Sequence, residues 1–311
     1  MKKFDVLDIG IIVADIPVKV PCSSIDFLSD TFRVEKIEIC EGGDAANSAV
    51  VLSQLGKKVA LAGALGNDGI GNLVRGMIAS KGVETGTIRM KDGVQTSVSI
   101  VLVNSQGDRT FICTRGNNIT LCLQDLDFSL IQQTRHINIS SLFAHPLLEK
   151  DGISFFKAAG EAGVTISADV GHDNYNTGFA GVADLMQYVD LFMPSYVEAK
   201  YMTGETEPKK MAEFFIRHTG QKIVVIKLGA EGCFVFEKGK GYNVPAFKVE
   251  SIDTTGAGDN FVAGFLHAYL DGMPIRDCAR FACAAAAIST QYLGATSPLA
   301  TLQKIRELLG S

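Results

Sequence analysis

The chain has 311 residues, 47% of them hydrophobic, and a formal net charge of −5. The length allows one large domain or two ordinary ones, and the apolar content is ample for a core, which excludes a disordered chain. With an acidic balance and no block of Lys and Arg, nucleic acid and anionic membrane surfaces are excluded as expected main partners.

The first residues, Met1-Lys2-Lys3-Phe4-Asp5-Val6-Leu7-Asp8, begin like a signal peptide, but Asp5, Asp8 and Asp15 interrupt the apolar stretch and argue against one. Residues 6–13 form an apolar run of strand length, with Asp15 expected just beyond it. Residues 32–40 alternate polar with apolar (Phe32, Val34, Ile37, Ile39), the pattern of a strand with one covered face. Residues 45–55 have helical spacing and stop at Gly56, a natural C-cap. A strand is expected over 59–64 and a helix over 73–80, before Gly82. Residues 96–114 alternate again around Asn104-Ser105-Gln106-Gly107-Asp108, a hairpin signal. Short core strands follow at 136–139, 165–168, 191–193 and 223–228, with helices at 153–162 and 208–218. Such βα alternation predicts a parallel sheet with helices on both faces.

No uninterrupted apolar run approaches the ~18 residues of a membrane span. The seven cysteines are scattered without CxxC spacing, as expected of buried thiols in a reducing cytoplasm.

Two segments carry the chemistry. In Asp253-Thr254-Thr255-Gly256-Ala257-Gly258-Asp259 a carboxylate follows a Gly-Ala-Gly turn, and the apolar run from Phe261 to Leu266 reads as a helix entering a core. A helix N-terminus offers unpaired N–H groups and a positive dipole end, and small residues let phosphate approach it. Asp259 is then a candidate base in the first turn; on these residues alone it is equally a helix-capping Asp. Far upstream stand Glu41-Gly42-Gly43-Asp44-Ala45-Ala46-Asn47 and, after the next strand, Gly66-Asn67-Asp68-Gly69-Ile70-Gly71.

This pair of segments, in this order, resembles the two signatures of the PfkB (ribokinase-like) carbohydrate kinases, and the resemblance runs from Asp15 to about Ser297. It implies one kinase domain over residues 1–311. The expected fold is an α/β three-layer sandwich with a mostly parallel central sheet flanked by helices. A small β-sheet lid would be drawn from about 16–40 and 96–115, a lid through which several relatives dimerise. The implied activity is transfer of the γ-phosphate of ATP to a hydroxyl of a sugar or small polyol. Two alternatives stand beside it: a nucleoside kinase of the same family, and a non-catalytic sugar-binding regulator.

The resemblance assigns Asp259 as the base and the backbone of Gly256, Ala257 and Gly258 as the anion hole. It assigns acceptor binding to Asp15, Gly42, Gly43 and Asn47, with Asp253 beside them. Arg109 either reaches the acceptor from the lid or is a solvated turn arginine. Lys227-Leu228-Gly229-Ala230-Glu231-Gly232 resembles the nucleotide loop, with Lys227, Gly229 and Gly232 as its contacts. Mg²⁺ bridges the phosphates in such reactions, and a monovalent cation such as K⁺ binds near the anion hole in relatives. The usual Asn-x-x-Glu element, which orders magnesium-bound water, appears as Ser195-Tyr196-Val197-Glu198, so Glu198 is kept and the Asn is not. Val13 and Asp44 also depart from the ribokinase pattern, which leaves the identity of the acceptor open.

Overall fold

The computed structural model describes residues 2–23, 31–106, 109–297 and 300–310. The strands in chain order are β1 (Phe4–Ile9), β2 (Val13–Lys19), β3 (Cys40–Gly42), β4 (Val59–Ala62), β5 (Ala64–Gly66), β6 (Arg89–Lys91) and β7 (Val98–Val103). They continue with β8 (Arg109–Cys113), β9 (Thr134–Leu142), β10 (Thr165–Val170), β11 (Leu191–Phe192), β12 (Ile223–Lys227), β13 (Cys233–Glu237) and β14 (Lys240–Val244). Eight of them form the main sheet in the order β14-β13-β12-β11-β10-β9-β1-β4. Pairing is parallel from β4 to β12 and antiparallel for β13 and β14.

Strand alternation builds a core on each face. In β1, Val6 packs on one side with Val50, Leu52, Val262 and Phe265. Leu7 and Ile9 pack on the other with Ile137, Phe155, Phe192 and Phe215. Helices Asp44–Gln54, Ala257–Leu270 and Ile275–Ser289 cover the first face. Helices Ile153–Glu161 and Pro208–Thr219 cover the second. Period-2 alternation on a doubly covered sheet yields three layers. Among the described residues no helix is long and apolar enough to cross a membrane.

A separate four-stranded sheet, ordered β3-β2-β7-β8, forms the lid. The predicted hairpin is β7 paired antiparallel with β8; its Gly107-Asp108 turn lies outside the described residues.

Three expectations are corrected. The run over 6–13 is not one strand: β1 pairs with β4 and β9, whereas Val13 to Asp15 pair with β3 in the lid. The run over 59–64 likewise divides at Gly63 into β4 of the main sheet and β5 of a small two-stranded sheet. Apolar continuity reports burial and carries no information about which sheet does the burying. Of residues 32–40, only Cys40 enters a strand; 31–39 have no ladder partner, and Ile37 is 63% exposed. Alternation without a pairing edge does not make a strand.

Candidate active site

The helix Ala257–Leu270 begins after Gly256, whose φ of 71° places it in the left-handed region. A Cβ there would lie 2.4 Å from that of Ala295, so both conformation and space require glycine. The first-turn N–H groups of this helix have no partner within it, and Asp259 stands in that turn. The helix Asp44–Gln54 starts alongside, and the Asn47 amide donates to Asp259 Oδ2 at 2.7 Å. The two segments singled out in the sequence therefore meet in one hydrogen bond.

Their N-termini and the lid enclose a cavity of about 770 Å³. Asp15, Gly43, Asp44, Asn47, Gly256 and Asp259 line it, joined by Ser99, Phe111, Cys113, Thr114 and Asn118. Asp15 belongs to the lid strand β2 rather than to the loop after the first main-sheet strand, a correction to its expected place. Its partner across the β2–β3 ladder is Cys40, and its carboxylate reaches over to Gly42, which pairs with Val13. A side chain on Gly42 would sit 2.1 Å from Asp15 Oδ2. Gly42 thus leaves room for the carboxylate.

Burial, then the neighbouring Asp44 carboxylate, push Asp15 up to about 6, against a Ser99 hydrogen bond. Asp259 is raised well above the ordinary carboxylate value by desolvation and by Asp44 and Asp169, and is opposed by Asn47 and Lys227. A carboxylate whose pKa is raised is a stronger proton acceptor than an unperturbed one. Asp169, at the end of β10, is likewise raised to about 7 by burial, with Lys227 pulling down and Asp44 and Glu198 pushing up. The Ser141 N–H donates to Asp169 Oδ1 at 2.7 Å, and the Ser141 hydroxyl donates to Asp44.

Lys227, the last residue of β12, brings its Nζ to within 3.6 Å of the point a Gly258 Cβ would occupy. The expected nucleotide residue thereby comes close to the Gly256-Ala257-Gly258 turn. Gly229 opens the turn Gly229–Glu231, and a side chain on Gly232 would run into the Val244 carbonyl oxygen. Lys227, Gly229 and Gly232 are not among the residues lining the 770 Å³ cavity. Asp253 braces the loop: Oδ1 accepts from the Thr255 N–H and hydroxyl, and Oδ2 accepts from the Gly294 N–H at 2.9 Å. The Arg109 backbone pairs with Val103, four residues along the lid from the Ser99–Cys113 pair at the cavity; its side chain lies outside the described residues.

Glu198 closes a capping box with Ser195, accepting the Ser195 N–H at 2.7 Å while its own N–H donates to the Ser195 hydroxyl. The serine in place of the usual Asn is a sound N-cap. Glu198 acts on Asp169 through space, which brings it to the edge of the carboxylate cluster. Among the described residues no set of three or more His, Cys, Asp or Glu is arranged to hold a metal ion directly. Carboxylates that do not bind a metal directly could still hold a magnesium through its water, and Glu198 and Asp169 are the candidates here.

Asp44 stands out in the sequence only as a departure from the ribokinase pattern, and Asp169 and Ser141 carry no expectation there. For Asp169 a signal existed: a carboxylate at the carboxyl end of a predicted parallel strand, where ligands gather.

The pfkB family carbohydrate kinase profile matches residues 3–302. A ribokinase from Haemophilus influenzae is 30% identical over 97% of this chain and 97% of its own length. Fructokinase-2 of Solanum lycopersicum is 28% identical over 86% of each. Among solved structures, an Arabidopsis thaliana ribokinase complexed with ribose and ATP superposes with a TM-score of 0.84, at 25% identity, over 99% of both chains.

Proposed function

The chain belongs to the pfkB family of carbohydrate kinases, and from that premise we propose that it transfers the γ-phosphate of ATP to a hydroxyl of a sugar or small polyol held between the lid and the two helix N-termini. The observation that carries this reading is Asp259 in the first helical turn, open to the cavity and held by Asn47.

In this mechanism Asp15 and Asn47 grip acceptor hydroxyls, and Asn47 Oδ1, buried without a partner, is the acceptor atom aimed at one of them. Asp259 takes the proton of the attacking hydroxyl. The first-turn N–H groups and the Lys227 ammonium stabilise charge on the transferring phosphoryl group. Mg²⁺ supplies charge neutralisation across the phosphates when bound; Glu198 and Asp169 orient its water.

The test is ADP release with MgATP across neutral sugars, polyols, sugar acids and nucleosides, for wild type and Asp259→Asn. An acceptor-dependent turnover that Asp259→Asn abolishes supports the reading. Turnover with nucleosides alone moves the acceptor to that class, and ligand binding with no turnover in wild type leaves a sugar-binding regulator.

A further inference from the structure

Beneath the site, one face of the main sheet carries polar side chains where a core is expected. Asp8, Asn138, Ser140 and Ser167 are fully buried on the side covered by the motif helices. Asp8 stands in β1 between Leu7 and Ile9, paired with Asn138 of β9 and Leu61 of β4. Its Oδ1 accepts from Asn138 Nδ2 at 2.9 Å and from the Ser140 hydroxyl at 3.1 Å. Its Oδ2 accepts from the Ser48 hydroxyl at 2.5 Å. Ser167 donates to Asn138 Oδ1 at 2.6 Å and is joined by His136, 2.8 Å away.

A buried carboxylate is costly unless donors satisfy it, and a valine would fill the place of Asp8 with no such demand. What the carboxylate adds is direction. Ser48 follows Asn47, whose amide holds Asp259. Ser140 precedes Ser141, whose hydroxyl donates to Asp44. The contacts close a ring from Asp8 through Ser48 to the helix start, through Asp44 to Ser141, and through Ser140 back to Asp8. A satisfied polar ring of this kind stiffens the elements it joins.

We propose that Asp8, which touches neither solvent nor the cavity, is a positioning residue for phosphoryl transfer: through Ser48 it sets the first turn of the helix Asp44–Gln54, and with it the Asn47 amide that holds Asp259. The proposal rests on the kinase reading above. Displacing a reacting group by about 1 Å costs up to about 10²-fold, so the ring acts on turnover rather than on affinity.

The test compares Ser48→Ala, Asp8→Val and Asp8→Asn in steady-state kinetics with the best acceptor from the panel, normalised to folded enzyme. Ser48→Ala and Asp8→Val are expected to lower kcat about tenfold with the KM for ATP unchanged. The double variant is expected to be no worse than either single one. Asp8→Asn is the conservative rescue. Its oxygen still accepts from Asn138 and Ser140, and its amide donates to Ser48, whose own proton turns to the Asp44 carbonyl oxygen 2.9 Å away; kcat stays within about threefold of wild type. A purely structural carboxylate would change Tm and leave kcat per folded molecule alone. The proposal is overturned by Ser48→Ala at wild-type kcat, or by Asp8→Asn as impaired as Asp8→Val. If Asp8→Val does not fold, Ser48→Ala against Asp8→Asn decides. A wild type without acceptor-dependent turnover fails the kinase reading itself, whereas an active wild type with an unaffected Ser48→Ala fails only this inference.

Discussion

Asn47 Nδ2 lies 2.7 Å from Asp259 Oδ2, across 212 residues of sequence. The bond joins the start of the helix Asp44–Gln54 to the start of the helix Ala257–Leu270. It orients Asp259, the proposed base, and partly offsets the burial that raises its pKa.

Replacing the base is the most direct check of the chemistry. Asp259→Asn keeps the shape of the side chain and the packing of its helix, and is expected to lose turnover on the order of 10²-fold or more. Tm stays level or rises, because a buried carboxylate among Asp44 and Asp169 is removed. Near-normal kcat in a well-folded variant would sink the assignment.

Asn47→Ala takes away a hydrogen bond that favours the ionised form of Asp259. The base must be deprotonated to act, so the acid limb of the kcat–pH profile is expected to move to higher pH. A profile that falls in height without moving would leave Asn47 a role in acceptor binding alone.

For Asp15→Ala the expected loss is in the acceptor. A hydrogen bond to a charged group is worth roughly 1.5–3 kcal/mol, so acceptor kcat/KM falls at least about tenfold while the KM for ATP barely moves. In the wild type, the Asp15 carboxyl is raised to about 6 and its charged form is the better acceptor of hydroxyl protons. The KM for the acceptor therefore improves as pH rises through that value. A variant that weakens ATP and spares the acceptor would overturn the assignment of Asp15 to acceptor binding.

Glu198→Gln separates capping from metal chemistry. The amide oxygen still accepts the Ser195 N–H, so the capping box and the fold persist, while the charge that orients magnesium-bound water is lost. The Mg²⁺ concentration for half-maximal rate is expected to rise. An unchanged titration makes Glu198 a helix cap and nothing more.

Asp8 also leaves a mark on stability. Burial raises its carboxyl from the ordinary 3.8 to about 7. A carboxyl raised in the folded state contributes stability that is complete below its unfolded value and is lost as pH rises through the folded value. The wild type therefore loses this contribution between about pH 4 and pH 7, and Asp8→Asn does not. The Tm of the variant relative to wild type is expected to increase from pH 5 to pH 8 in thermal-shift scans. A difference independent of pH would mean that Asp8 is already ionised throughout that range.

Residue order alone sufficed for much of this protein. The βα alternation, the hairpin over 96–114, the helix following Gly-Ala-Gly-Asp and the lineage of the two motifs were all legible, because backbone propensity and turn chemistry act over a few neighbouring residues. Sheet membership was not. Residues 6–13 read as one strand and supply two sheets, because a strand's partner is chosen by what lies beside it in space. The same limit hid Asp169 and Asp8, lone carboxylates in sequence that become informative only when the fold brings others near them. It also hid the packing of Gly42, which makes room for the Asp15 carboxylate. Local chemistry wrote the elements; the pairing of β1 with β9 and the meeting of two helix N-termini decided the site, since desolvation and charge coupling depend on distances in space that the spacing of residues along a chain does not encode.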